Sequence, residues 1–168
     1  MPYRNKTYIA FDADSDIHYY RLMQAWKQND NTDFNFYNAH ELRRLLPTTS
    51  NEDSIKQALR ERLKGTKIFV ILIGEKTRYL YKFVRWEIEQ ALKLELPIIA
   101  VNLNKKRSID SDRCPPILRD ELAIHISFNA KILQYALERW EAKHKQLIGE
   151  GESGPYYYKE SVYEDLGL

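Results

Sequence analysis

The chain has 168 residues, of which 43% are hydrophobic, which is enough to bury one core and argues against two independent domains. Its 26 Lys and Arg residues nearly balance 24 Asp and Glu residues, and the signs are interspersed, so no nucleic-acid interface is expected. Cys114 is the only cysteine, which excludes an intramolecular disulfide and fits a reducing compartment. No apolar stretch reaches the length of a signal peptide or a membrane span, so we expect a cytoplasmic protein with no membrane partner.

Five apolar runs predict β-strands. The third run is continuous in apolar and mostly β-branched residues, which is typical of a parallel strand covered by helices on both faces. The second run is rich in aromatic residues and bounded by Asn and Asp, which indicates a strand near an edge of the sheet. The predicted strands span residues 7–11, 33–37, 67–74, 97–103 and 123–128.

Apolar residues at helical spacing predict four helices that alternate with these strands and follow the last one. Ser50, with Asp53 three residues later, approximates a capping box for the second helix, and Gly65 is expected to end it. Asn129 is expected to cap the last helix. Residues 38–50 are predicted to be mostly loop. The apolar stripes are Tyr19, Leu22, Met23 and Trp26; Ile55, Ala58, Leu59 and Leu63; Val84, Ile88, Ala91 and Leu92; and Ile132, Leu133, Ala136, Leu137 and Trp140.

The composition changes after Gly149. The remaining residues include three glycines, Pro155 and three consecutive tyrosines at 156–158. We therefore interpret residues 1–148 as one domain and residues 149–168 as a mobile or loosely docked C-terminal tail.

The alternation of strands and helices predicts an α/β fold, a flavodoxin-like three-layer sandwich with a five-stranded parallel sheet in the order 2-1-3-4-5. Ligands of such sheets bind at the carboxyl ends of the strands, near the switch point between the first and third strands. Two loops are expected there, residues 11–15 and 74–78. Glu87, at the start of the next helix, is expected close to the same edge.

Several common chemistries are excluded by the residues present. Only Gly65 and Gly74 precede residue 149, so neither a Walker A loop nor a Gly-x-Gly-x-x-Gly turn can form. There is no Gly-x-Ser-x-Gly elbow, and Cys114 precedes two prolines with no histidine nearby, which disfavours nucleophilic Ser or Cys catalysis. The four histidines lack the spacing of metal ligands, so no metal site is predicted.

Asp12 and Asp14 follow the first strand. An acidic pair in this position holds Mg²⁺ in response-regulator receivers, but such a domain needs an Asp at the end of the third strand, where this chain has Ile73 and Gly74. Two interpretations remain open. Either the pair contacts a ligand, or Asp14 caps the first helix and Asp12 is solvated.

Glu87 lies at the edge of its helix's apolar stripe. It is about 100° from Ile88, the centre of the buried face, and falls beside Leu94, so it is expected to be neither core nor fully exposed. Periodicity alone favours an acidic residue stabilised by the helix macrodipole over a catalytic residue.

Residues 8–128 nevertheless resemble a TIR domain, specifically the bacterial TIR-like family that includes the ThsB subunits of Thoeris anti-phage systems. The last of the matching motifs is the most specific, because enzymatic TIR domains carry their catalytic glutamate in the helix after the third strand. The matching motifs are Phe11-Asp12-x-Asp14, Ile73-Gly74-x-x-Thr77, and Val84-Arg85-Trp86-Glu87-Ile88 followed by Ala91 and by Pro97-Ile98-Ile99-Ala100-Val101.

This resemblance implies that Glu87 is the catalytic residue and that NAD⁺ is the substrate, with no further cofactor. Phe11 would stack on a base or on nicotinamide, and Lys76 or Arg85 would meet the diphosphate. Trp86 points away from the buried stripe and would line the pocket or form an assembly contact. The other substrate-binding residues that the resemblance implies are Asp12, Asp14, Gly74 and Thr77.

One carboxylate suits this chemistry, because nicotinamide leaves NAD⁺ as a neutral ring and needs no general acid, unlike the leaving group of ordinary glycoside hydrolysis. The implied activity is that of an NAD⁺ glycohydrolase or ADP-ribosyl cyclase whose product is a signal in anti-phage defence. A separate effector protein would read that signal. Many TIR enzymes act only after self-association, so a homo-oligomer stays open.

Two other classes also stay open. One is a non-catalytic TIR-like adaptor that uses the Glu87 helix as a protein interface. The other is an enzyme similar to nucleoside deoxyribosyltransferases, which share the α/β plan and also use a glutamate.

Overall fold

A computed structural model of the protein describes residues 6–29, 35–38 and 51–168. These residues form a six-stranded sheet in the order β2-β1-β3-β4-β5-β6, and every neighbouring pair is parallel. The strands are β1 (Lys6–Ala10), β2 (Asn35–Asn38), β3 (Ile68–Ile73), β4 (Ile98–Asn102), β5 (Ala123–Ser127) and β6 (Pro155–Tyr157).

Helices connect β1 to β2, β2 to β3, β3 to β4 and β5 to β6, as expected for parallel neighbours, whereas residues 103–122 connect β4 to β5 without a helix. The structure therefore confirms the α/β, flavodoxin-like prediction, and the five predicted strands take the predicted order. A short 3₁₀-helix, Thr77–Tyr79, follows β3. The α-helices are α1 (Ala13–Asn29), α2 (Glu52–Lys64), α3 (Val84–Lys93), α4 (Ala130–Gly149) and α5 (Glu160–Asp165).

β3 separates two apolar clusters, and all six of its residues are buried. Successive side chains of a strand point to opposite faces of the sheet, so each cluster receives every second residue of β3. The first cluster includes Val70 with residues of α1 and α4 such as Met23 and Leu137. The second includes Ile71 with residues of α2 and α3 such as Leu59 and Ile88.

The helix caps agree in part with those predicted from the sequence. The α2 cap is Asn51, whose side chain accepts a hydrogen bond from the Ser54 backbone N–H at 2.8 Å. Ser50, the predicted cap, lies outside the described residues, as does most of the predicted loop 38–50. Gly65 ends α2 as predicted. Asn129 caps α4 as predicted, by accepting from the Lys131 N–H at 2.8 Å.

The last twenty residues are not loosely docked, which corrects the prediction of a mobile tail. β6 pairs with β5 and extends the sheet by one strand. Tyr163 is fully buried, and its hydroxyl accepts a hydrogen bond from the Ser127 N–H at 3.3 Å. Two of the glycines that suggested mobility, Gly151 and Gly154, have φ of 74° and 91° and instead form the turn between α4 and β6.

None of the helices in the described ranges 6–29, 35–38 and 51–168 has the length and apolar character to cross a membrane.

His125 makes the fold sensitive to acid. It is fully buried in β5, and neither ring nitrogen has a hydrogen-bond partner within the described part of the chain. Burial lowers the pKa of His125 from 6.5 to about 4. Between these values the unfolded chain binds a proton that the folded chain does not, so we expect stability to fall as the pH falls through this window, by up to about 3 kcal/mol. Urea unfolding across this pH range measures the loss.

A His125→Leu variant should lose most of this pH dependence, whereas the same change at the exposed His18 should preserve it. An unchanged pH dependence in His125→Leu would assign the acid sensitivity to other groups.

Candidate functional site

A cavity of 510 Å³ opens at the carboxyl end of β1, and we call it the first cavity. Its walls are two segments, residues 11–14, which run from the end of β1 into α1, and residues 79–84, which run into the start of α3. The volume lies in the range of small-molecule sites, and the position is where α/β folds bind their ligands.

The loop between β1 and α1 is ordered by Asp12. Its Oδ1 accepts hydrogen bonds from the backbone N–H groups of Asp14, at 3.1 Å, and Ser15, at 3.4 Å. Asp12 is therefore the buried cap of α1, and Asp14 is exposed. This reverses the predicted roles, because α1 begins at Ala13, two residues earlier than expected.

Phe11 lines the first cavity, but its ring is packed in the core. The side chain is 3% exposed and stacks on Tyr20 with ring centroids 5.2 Å apart. The aromatic rings open to solvent are those of Tyr79 and Tyr81, which are 59% and 62% exposed and also line this cavity. Neither tyrosine was predicted as a site residue. The feature of the sequence that could have identified them is the presence of two tyrosines in the polar turn after the central strand.

A second cavity, of 460 Å³, is lined by the next residues of α1 together with residues that follow β3 and β4. It contains the predicted site residues Gly74 and Lys76, together with Asp16, His18 and Arg113. The predicted ligand loops are thus divided between two cavities.

Asp16, like Tyr79 and Tyr81, was not predicted as a site residue from the sequence. It is 7% exposed, and its Oδ2 has no hydrogen-bond partner within the described ranges. Burial and the neighbouring Asp12 raise the pKa of the Asp16 carboxyl. A Cβ atom at Gly74 would lie 2.3 Å from this Oδ2, so only glycine leaves room for the carboxyl group. The sequence feature that could have identified Asp16 is its position four residues after Asp12, which places the two carboxyl groups on the same side of the first helical turn.

Thr77 orders the loop after β3. Its hydroxyl accepts from the Gly74 N–H at 2.8 Å and lies 3.3 Å from the Leu72 carbonyl, to which it donates. Thr77 is buried and, with Arg85, lines a smaller cavity of 80 Å³. The structure therefore places Thr77 and Arg85 outside the first cavity.

Glu87 lies in the core rather than at its rim, which corrects the expectation from periodicity. It is fully buried, and the Tyr8 hydroxyl donates a hydrogen bond to its Oε2 at 2.5 Å. Tyr8 is itself fully buried in β1 and stacks on Phe69 of β3. Glu87 lines neither the first nor the second cavity.

Trp86 packs against α2. Its ring lies 5.5 Å from the Lys56 ammonium and 5.5 Å from the Arg60 guanidinium. Arg85, on the exposed side of α3, pairs with Glu89 at 3.6 Å. Neither side chain lines the first cavity, which contains only Phe11, Asp12 and Asp14 of the predicted site residues.

The part of the chain that the structure describes holds no group of three or more His, Cys, Asp or Glu side chains that could bind a metal ion.

Residues 8–108, which include the linings of the first cavity and Glu87, match the family model described as "Thoeris protein ThsB, TIR-like domain". The chain belongs to this family. The match confirms the resemblance inferred from the sequence motifs, and it covers more than half of the chain. No curated protein sequence matches the chain.

The chain was compared with two solved structures. A conserved protein from Enterococcus faecalis V583 is 18% identical, covers 97% of each chain and superposes with a TM-score of 0.50. A 2-deoxyribosyltransferase from Bacillus psychrosaccharolyticus is 16% identical, covers 58% of this chain and 72% of its own, and has a TM-score of 0.45. At these identities the first similarity concerns the fold alone, and the second is too low to carry an argument.

The reversed roles of the two aspartates can be tested by truncation. Asp12→Ala should lower the free energy of unfolding by about 1 kcal/mol, because it removes the cap of α1. Asp14→Ala should change it by less than about 0.5 kcal/mol, because that side chain is exposed. Urea unfolding of both variants gives the comparison, and a larger loss in Asp14→Ala would contradict the assignment.

Proposed function

We propose that this TIR-like protein cleaves the bond between nicotinamide and ribose in NAD⁺, with Glu87 as the catalytic residue. One observation carries the proposal: the glutamate that matches the catalytic position of TIR enzymes lies on the helix whose first residue lines the first cavity.

The direction of α3 supports this role. Val84 lines the first cavity and lies three residues before Glu87, so the two side chains share one face of the helix. The Glu87 N–H donates to the Phe83 carbonyl at 2.8 Å, which places the two residues one turn apart. Side chains lean toward the N-terminus of a helix, so the Glu87 side chain leans toward the end of α3 where the cavity lies.

The reaction requires a movement, because Glu87 is fully buried. Residues 79–83 line the first cavity and lead into the helix of Glu87, and the two tyrosines of this segment are exposed. We infer that substrate binding displaces this segment and that the Glu87 carboxylate exchanges its Tyr8 contact for the substrate ribose.

The first cavity offers groups for the rest of the dinucleotide. Tyr79 and Tyr81 give exposed ring faces on which adenine or nicotinamide can stack. Lys82 provides a positive charge for the diphosphate. Asp12 repels the diphosphate less than a free carboxylate would, since its Oδ1 already accepts two backbone hydrogen bonds.

In the proposed reaction the bond between ribose C1′ and the nicotinamide nitrogen breaks, and its electron pair neutralises the pyridinium ring. Glu87 binds the ribose hydroxyls and stabilises the positive charge that develops on the sugar. Attack on C1′ by water, with loss of a proton to solvent, gives ADP-ribose. Attack by another atom of the same dinucleotide gives a cyclic product.

Membership of the Thoeris ThsB family supports a role for the product as a signal in anti-phage defence, read by a separate effector protein.

The proposal predicts that Glu87→Gln lowers nicotinamide release from NAD⁺ by at least about a hundredfold, because the amide carries no charge to stabilise the transition state. Glu89→Gln is the matched control on the same helix, since Glu89 is partly exposed, pairs with the exposed Arg85 and lines neither the first nor the second cavity. Mass spectrometry of the products, with and without infected-cell lysate, measures the rate and identifies the product.

Equal turnover in wild type and Glu87→Gln would remove Glu87 from catalysis. Intact NAD⁺ under every condition would favour the adaptor, and base exchange on deoxynucleosides with NAD⁺ spared would favour the transferase.

A further inference from the structure

The second cavity has the features of a binding site that is separate from the proposed NAD⁺ site. It lies beyond the carboxyl ends of β3 and β4, where Gly74 and Leu103 contribute to its wall. Its 460 Å³ is close to the 510 Å³ of the first cavity and lies in the range of small-molecule sites. Neither Glu87 nor either exposed tyrosine contributes to it.

Asp16 contributes to this cavity a buried carboxyl oxygen that has no hydrogen-bond donor among the described residues. Its side chain is more than nine-tenths buried, and Oδ2 has no hydrogen-bond partner in the described part of the chain. Buried carboxyl oxygens without partners are rare because they forfeit the hydrogen bonds that water would supply. A ligand with hydroxyl groups would provide the missing donor.

The absence of a side chain at Gly74 leaves the space that the Asp16 carboxyl group occupies. Any side chain at Gly74 would bring a Cβ atom to 2.3 Å from Oδ2 and to 2.9 Å from Cγ of Asp16. The Gly74 N–H is held by Thr77, so the glycine cannot retreat without breaking the turn after β3.

The lining of the second cavity also carries positive charge. Arg113 is partly exposed, and its contact with the exposed Glu75 is long, at 3.5 Å. Lys76 and His18 are exposed and line the same cavity. An exposed ion pair of this length contributes little, so the Arg113 guanidinium can exchange it for a phosphate group, which it binds with two N–H donors.

We propose that the second cavity binds a ribosyl phosphate, with the sugar hydroxyls donating to Asp16 and the phosphate accepting from Arg113 and Lys76. A free amino acid would also present one anionic and one donor group. It fits less well, because burial and the neighbouring Asp12 raise the pKa of the Asp16 carboxyl and so disfavour the negative charge with which an ammonium group would pair.

The test is titration of the full chain with ribose 5-phosphate by isothermal calorimetry. We expect binding to wild type, and affinity about tenfold or more weaker in both Asp16→Asn and Arg113→Gln, because each change removes a side-chain group that binds the ligand. Asp165→Asn and Arg21→Gln are the matched controls, since both side chains are exposed and neither lines the first or the second cavity. Both controls should bind as wild type does.

Three further probes separate the components of the ligand. Ribose alone and inorganic phosphate alone should each bind more weakly than ribose 5-phosphate, and only the ribose-containing probes should respond to Asp16→Asn. Inorganic phosphate that binds as tightly as ribose 5-phosphate would reduce the site to an anion site and overturn the proposal. Glutamate that binds more tightly than ribose 5-phosphate through Asp16 and Arg113 would overturn it in favour of an amino acid.

No binding of ribose 5-phosphate to wild type at millimolar concentration would also overturn the proposal, as would a loss of binding in Asp165→Asn but not in Asp16→Asn. Thermal unfolding of each variant checks the fold, and Arg113→Gln alters only a partly exposed side chain. None of these results depends on NAD⁺ cleavage, so this proposal and the proposed function can fail separately.

Discussion

The burial of β3 on both faces is the constraint on which the rest of the structure depends. Its six apolar residues supply alternate side chains to two separate clusters, so the strand can occupy only an interior position with helices above and below it. That position makes β1 its neighbour on one side and β4 on the other. The turn at Gly74, where β3 ends, therefore lies beside the start of α1, and the cavities form around this junction.

Two carboxyl groups near this junction are hard to explain by stability. Burying a carboxylate is unfavourable unless it is hydrogen-bonded, and an apolar residue at Glu87 would suit the surrounding cluster of Val84, Ile88 and Ala91 at least as well. Instead, the Tyr8 hydroxyl of β1 binds the Glu87 carboxylate. Asp16 is buried beside a glycine that leaves it room. Polar groups at such positions are typical of functional sites. Asp16 lines the second cavity, and Glu87 lies on the helix whose first residue lines the first cavity.

Much of the fold follows from sequence patterns, since continuous apolar runs identify central strands and their alternation with helices determines the order of a parallel sheet. The predictions were wrong where contacts between distant parts of the chain determine the position of a residue. Periodicity gives the angular position of Glu87 around its own helix. It does not show that the Tyr8 side chain of β1 extends to Glu87, and this contact makes Glu87 part of the core. The start of α1 was misplaced by two residues, which exchanged the roles of Asp12 and Asp14. Glycines in the last segment suggested mobility, yet the edge of β5 offers unpaired backbone groups that β6 satisfies.

The proposed reaction requires Glu87 to leave Tyr8 and bind the ribose of NAD⁺ in the first cavity. A crystal structure with a non-cleavable NAD⁺ analogue shows whether it does so. We expect the analogue to lie between residues 11–14 and 79–84. We also expect the Glu87 carboxylate within hydrogen-bond distance of the ribose next to nicotinamide, with its bond to Tyr8 broken. An analogue bound elsewhere, with Glu87 still buried on Tyr8, would contradict the proposal.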